Sequence, residues 1–162
     1  MKQLILMRHA KSSWADSSLA DHDRPLNQRG EEDAPRMGQL LTGEDLIPDM
    51  ILCSTAERAK QTVEGVLTEC SVEGEVVFTR GLYHADPEDY IVLLQELPDA
   101  IGRVMMVAHN PGMEYFLSML TDTREHMPTA AIALIDLPIE SWGETNEDVE
   151  GKLAGFWIPK EL

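Results

Sequence analysis

Gln3 to His9 reads QLILMRH. A compact apolar run ends abruptly in a guanidinium and an imidazole. A run without polar alternation suits a strand buried on both faces, the habit of parallel sheets. The same figure recurs at Met50–Arg58, MILCSTAER, and at Arg103–Asn110, RVMMVAHN. Each time a short apolar run leads within a few residues to Arg or His. In open α/β sheets, sites form just outside the C-terminal ends of such strands. The three run ends, Arg8-His9, Ser54 to Arg58 and His109-Asn110, are therefore the candidate site.

The segments between them have helical character. Arg29 to Thr42 is expected as a helix, with Met37, Leu40 and Leu41 on one side and Gly43 as its stop; Pro35 lies early enough to shift its start. Ser54 stands where an N-cap belongs, with Glu57 three residues on, so a capped helix is expected from there to about Thr68. Val76–Thr79 is a short strand, Pro87–Leu97 a helix and Asn110–Leu120 another, with Pro111 near its start. Ala130–Leu137 and Leu153–Ile158 read as final strands, joined by an acidic, solvated loop over Pro138–Gly151. Strand and helix alternate, which predicts an α/β domain with a largely parallel sheet. With 162 residues and no linker, repeat or low-complexity tract, a single domain over 1–162 is expected.

The formal net charge is -16. That excludes nucleic acid and anionic membrane as natural partners, since both require a positive face. The apolar run at the N-terminus is too short for a signal-peptide core or a membrane span. Cys53 and Cys70 lack redox or zinc spacing and read as idle thiols in a reducing compartment. A cytoplasmic protein is expected. Its oligomeric state is left open, a monomer being reasonable.

Singly, each strand-end residue reads as ordinary polar surface. Together, three strand ends that deliver guanidinium and imidazole describe an anion pocket. Three segments carry a resemblance. They are LMRHAKSSW (Leu6–Trp14), CSTAERAKQT (Cys53–Thr62) and VAHNPG (Val107–Gly112). In that order and spacing they resemble the histidine phosphatase superfamily, which includes the cofactor-dependent phosphoglycerate mutases. The short chain, DHDRPLNQRG (Asp21–Gly30) and PTAAIALI (Pro128–Ile135) are similar to its small SixA-like phosphohistidine phosphatase branch.

The resemblance implies a three-layer sandwich with a mostly parallel central sheet flanked by helices. It implies that His9 is the nucleophile and that Arg8 beside it binds phosphoryl oxygens. It likewise implies Arg58 as the second phosphate arginine, His109 as the second histidine and Arg24 as a further arginine over the phosphate. No metal or other cofactor is implied, because arginines supply the charge; Asp21-His22-Asp23 is read as a solvated loop leading to Arg24. The chemistry is consistent. Fixed Arg and His donors stabilise the charge spread over a transferring phosphoryl group. An imidazole nucleophile divides one hard displacement into two easier ones.

Two departures from the family are informative. Ester-cleaving relatives carry an Asn soon after the Arg-His pair, following a Trp; here Trp14 is followed by Ala15. They also carry a Glu general acid where this chain has GLYHADPED, Gly81–Asp89. Leu82, Tyr83 and His84 occupy that place, with Asp86 and Glu88 near, and His84 and Asp86 stay open as alternative proton donors. A site without a strong acid favours phosphohistidine and activated esters over alkyl phosphates. No segment is long enough for a large lid, so an open site facing a phosphorylated protein is expected. Alternatives are a hydrolase of small activated phosphate esters or anhydrides, and a non-catalytic phosphate-binding module. Met105 and Met106 are expected in the core, Trp142, Phe156 and Trp157 as packing residues, and His126 in a loop.

Overall fold

A computed structural model describes all 162 residues. The first apolar run is strand β1, Lys2–Arg8, followed by helix α1, Gln28–Gly43. Then come β2 (Met50–Ser54), α2 (Glu57–Leu67), β3 (Val76–Thr79) and α3 (Pro87–Gln95). The chain closes with β4 (Arg103–Ala108), α4 (Gly112–Thr121), β5 (Ile132–Leu137) and β6 (Lys152–Trp157).

The six strands form one sheet in the order β3-β2-β4-β1-β5-β6. β3, β2, β4 and β1 run parallel, whereas β5 is antiparallel to both β1 and β6. Period-two alternation along each central strand splits the core between the two faces. Ile5, Met7, Ile51, Cys53, Met105 and Val107 pack against α1 and α2. Leu4, Leu6, Leu52, Val104 and Met106 face α3 and α4, where Tyr90 stacks on Phe116 at 4.8 Å between ring centroids. The layers are thus helix, sheet, helix: the mainly parallel α/β sandwich of the phosphoglycerate mutase-like fold.

Local chemistry sets the helix ends. Asn27 caps α1 by accepting from the Gly30 N–H at 2.9 Å. Pro35 does not shift the start of that helix; it lies inside it. Pro111 is the residue just before α4, so that helix begins at Gly112. A Cβ on Gly112 would fall on the Ala85 carbonyl oxygen, so glycine is what lets α4 start against that loop.

Two expectations are corrected here. Ser54 does not cap α2. It is the last residue of β2, paired in register with Thr79, and the residue before α2 is Ala56, which offers no side-chain cap. The segment 138–151 is not simply solvated. Ile139, Trp142 and Thr145 are buried within it, and Trp142 Nε1 donates to the Ile101 carbonyl at 2.7 Å. The indole buries more apolar area than the surrounding carboxylates resist, since they can still reach water.

Topology also locates a crevice. The chain leaves β1 through α1 on one face of the sheet and leaves the adjacent β4 through α4 on the other. The C-terminal ends of β1 and β4 therefore lie where the connections diverge, the place such sheets bind ligands.

Candidate active site

Arg8 ends β1 and pairs in register with Ala108 at the end of β4. The next residue on each strand is a histidine, so parallel pairing sets His9 beside His109, with ring centroids 5.1 Å apart. Both are buried. The His9 Nδ1–H donates to the Ala10 carbonyl at 2.7 Å, which leaves Nε2 with its lone pair. The loop after His9 is held by Thr62, whose Oγ1 accepts from Ala10 N at 2.9 Å and donates to the Arg58 carbonyl. On the other side the Ala130 N–H donates to the carbonyls of both Arg8 and His9, with Ala130 in the left-handed region at φ 63°.

Burial, reinforced by the nearby Arg58, Arg8 and Arg24 guanidiniums, lowers the His9 pKa to about 4. It is neutral at physiological pH. Burial likewise drives His109 down to about 2, helped by His9 and Arg58.

Ser54 fixes the second histidine. Its hydroxyl oxygen accepts from Ala56 N at 3.2 Å and lies 2.8 Å from His109 Nε2. Its proton has no other acceptor, so it donates to Nε2 and the His109 proton resides on Nδ1. That Nδ1 is buried and finds no partner in the protein. The same holds for Nε of Arg8 and of Arg58. Three buried donors of the site thus remain unspent, although native proteins pair almost all such groups.

The remaining nitrogens of Arg24 and Arg58 are committed, and so is Arg8 Nη1. Arg8 Nη1 donates to the Met127 carbonyl at 3.1 Å. That carbonyl also accepts from Asn110 Nδ2 at 2.9 Å. Glu114 Oε2 steadies the arrangement, accepting from Asn110 Nδ2, Met127 N and His126 Nδ1. Arg58 Nη1 and Nη2 donate to the Asp21 carbonyl (2.8 Å) and carboxylate (3.1 Å). Arg24 Nε meets the same carboxylate at 3.2 Å, and its Nη1 reaches Ser12 Oγ at 2.8 Å. Trp14, 73% exposed, lies over the Arg24 guanidinium at 3.6 Å. The structure therefore brings Arg8, His9, Arg24, Arg58 and His109 to one place, the mouth of the crevice.

The segment Asp21–Asp23 is a short 3-10 turn rather than a free loop, and its first carboxylate is a hub. Sequence reading overlooked Asp21 because its partners are 37 and 62 residues away. Ser54 was noticed for the wrong reason. At the place of the family's acid, Tyr83 donates its hydroxyl to Asp21 Oδ2 at 2.7 Å, and its ring stands edge-on to His109 at 5.6 Å. His84 adopts φ 55° and lies against Tyr83 with ring centroids 4.0 Å apart. Asp86 is the N-cap of α3 in a capping box with Asp89. His84, Asp86, Asn110 and Tyr115 wall a cavity of about 150 Å³ against His109.

The sequence pattern of the histidine phosphatase superfamily (branch 1) matches residues 4–89, and the chain belongs to that family. Solved structures that it resembles include SixA-like members. A candidate phosphohistidine phosphatase SixA from Agrobacterium tumefaciens is 28% identical and superposes with a TM-score of 0.81, over 98% of this chain and 99% of that one. The protein histidine phosphatase SixA complexed with tungstate shares the fold at a TM-score of 0.84 and 24% identity, over 98% of each chain. An uncharacterised chloroplastic protein of Arabidopsis thaliana is 35% identical across 88% of this chain and 70% of its own length. Family and fold together support a phosphatase.

Proposed function

We propose that this protein is a phosphohistidine phosphatase that carries the phosphoryl group on His9 Nε2. One observation supports this above the others: a neutral, buried imidazole with a free Nε2 lies among three unspent donors, Arg8 Nε, Arg58 Nε and His109 Nδ1. In the first step the Nε2 lone pair bonds to phosphorus as the bond to the leaving group breaks. In the second, water attacks phosphorus, the Nε2–phosphorus bond breaks and orthophosphate departs. The Ala10 carbonyl holds the His9 proton on Nδ1 throughout, so the imidazole leaves the intermediate without negative charge. The guanidiniums and His109 bear the charge spread over the equatorial oxygens. Arg24, over the mouth, screens the incoming anion from a protein of net charge -16. Arginine charge makes the reaction independent of metal.

The substrate class follows from the leaving-group side. An alkoxide needs a proton as it departs, help worth about 10²–10⁴-fold. The wall beside His109 has no buried carboxylic acid: Asp86 is exposed at the N-cap position of α3, and the Tyr83 proton is directed to Asp21. A phosphohistidine protonated on its other ring nitrogen leaves as neutral imidazole and needs no such help. The exposed rim at Trp14 suits a phosphorylated protein domain as donor. The free, buried Cys53 and Cys70 fit a reducing cytoplasm, where we place the reaction.

The test is phosphate release from a phosphohistidine-bearing protein, an aryl phosphate and an alkyl phosphate, for wild type and His9→Ala, with a chelator present. Fast loss of phosphohistidine, slow alkyl cleavage and abolition by His9→Ala are expected. Equal rates on phosphohistidine and alkyl ester would refute the substrate class. Turnover surviving in His9→Ala would refute the nucleophile.

A further inference from the structure

Asp21 stands out because one carboxylate ties together three parts of the mouth. Its Oδ1 receives Arg24 Nε and Nη2, both at 3.2 Å. Its Oδ2 receives Arg58 Nη2 at 3.1 Å and the Tyr83 hydroxyl at 2.7 Å. Its backbone carbonyl takes Arg58 Nη1 at 2.8 Å. These partners come from the loop after β1, from α2 and from the loop after β3. A carboxylate on phosphate-binding arginines admits two opposite interpretations. It could be a plug that the substrate must displace, or a brace that stays in place while the substrate binds.

The distribution of free and used nitrogens separates them. Both terminal nitrogens of Arg58 are spent on Asp21, whereas the buried Nε is not. Arg8 Nε and His109 Nδ1, the other unspent donors, have no contact with Asp21. The carboxylate is 42% exposed, while the Arg58 side chain it holds is 6% exposed. Asp21 thus grips the arginines from the solvent side and leaves the buried donors unpaired. A plug would be expected to take those unpaired donors.

We infer that Asp21 is a positioning residue of the phosphate site, aiming Arg58 and Arg24 and tying the Tyr83 wall against His109. The inference rests on the phosphatase reading for its kinetic part only. Oxyanion geometry at catalytic distance is steep: misplacement by about 1 Å costs around 10²-fold. Asp21 also keeps the Arg24 and Arg58 guanidiniums tolerable beside one another before an anion arrives, since like charges in a dry crevice repel strongly.

Asp21→Asn is the informative variant. Its carbonyl can still accept from Arg24, but the amide presents N–H to Arg58 and removes the charged acceptor. For a brace, kcat on the best phosphate substrate falls about 10- to 100-fold with KM changed by less than about 3-fold. Tungstate binding, read by calorimetry on the whole protein, weakens as well. Tyr83→Phe, which removes only one of the Asp21 contacts, gives a smaller fall of the same kind. Wild-type kcat in Asp21→Asn would overturn the inference, and so would tighter tungstate binding with a lower KM, the signature of a plug. If the wild type itself releases no phosphate, the phosphatase reading fails, while tungstate binding to wild type, Asp21→Asn and Tyr83→Phe still decides the role of Asp21. Should Asp21→Asn fail to fold, Tyr83→Phe carries the test: unchanged kcat and tungstate affinity would refute the brace.

Discussion

Replacing Ser54 by Ala should cost both stability and turnover, and the structure gives a magnitude for each. The hydroxyl is fully buried and serves two groups, the Ala56 N–H and His109 Nε2. Its loss leaves both buried without a partner, at roughly 1–3 kcal/mol each. With some relaxation the total is about 2–4 kcal/mol, and a domain of this size then melts roughly 5–15 °C lower. The chemical effect is separate. Without the serine the His109 ring can adopt either tautomer, and its Nδ1–H is no longer fixed toward His9. Losing one aligned donor of about 1.4–3 kcal/mol slows turnover roughly 10- to 100-fold. Steady-state phosphate release and thermal unfolding measure the two effects side by side, well below the variant's melting point. Ser54→Cys, similar in shape but a weak donor, should fall between. A variant that melts early yet keeps wild-type kcat would refute the link between Ser54 and the tautomer of His109.

The pH dependence has a definite sign. His9 is neutral in the folded protein, with a pKa of about 4 against an ordinary 6.5, so protonation favours the unfolded chain. Its contribution, about 3 kcal/mol at roughly 1.4 kcal/mol per unit, is complete above about pH 6.5 and disappears as pH falls toward about 4. Denaturant midpoints at pH 7.5 and 5 should differ accordingly, and kcat/KM, corrected for substrate ionisation, should keep its acid limb near pH 4; a limb near 6.5 would contradict the burial argument. Gly112→Ala should lower the melting temperature by an overpacking cost of roughly 1–3 kcal/mol, because the new methyl meets the Ala85 backbone oxygen. An unchanged melting temperature would show that this junction yields freely.

The strand-end reading succeeded for a physical reason. Strands buried on both faces must be apolar throughout, so the first Arg or His after such a run marks the crevice with little ambiguity. Residues 3–9, 50–58 and 103–110 all carry that signal. Ser54 was harder. Ser followed by Glu at the third position is equally a helix cap and a strand end; the pairing of Ser54 with Thr79 in β3 decides it, and pairing is invisible locally. Asp21 was missed because a charged turn looks solvated until its distant guanidinium partners are in place. Asp86 was legible in principle: Pro87 after it and Asp89 three residues on are a helix start, and Asp89 accepts from the Asp86 N–H. The reversal of β5 left no trace in composition, since parallel and antiparallel strands buried on both faces draw on the same apolar residues.

The direction of β1 also decides how the protein can be handled. Met1 lies at the foot of that strand, its ammonium 3.2 Å from Glu140, and seven residues at about 3.3 Å each separate it from the mouth by about 20 Å. β6, two strands over, runs the same way as β1, and Arg36 of α1 holds the Pro159 and Leu162 carbonyls beyond its end. A surface anchor or fluorescent reporter fused ahead of Met1 therefore leaves the approach to the mouth clear. The same attachment after Leu162 would loosen a clasp on α1.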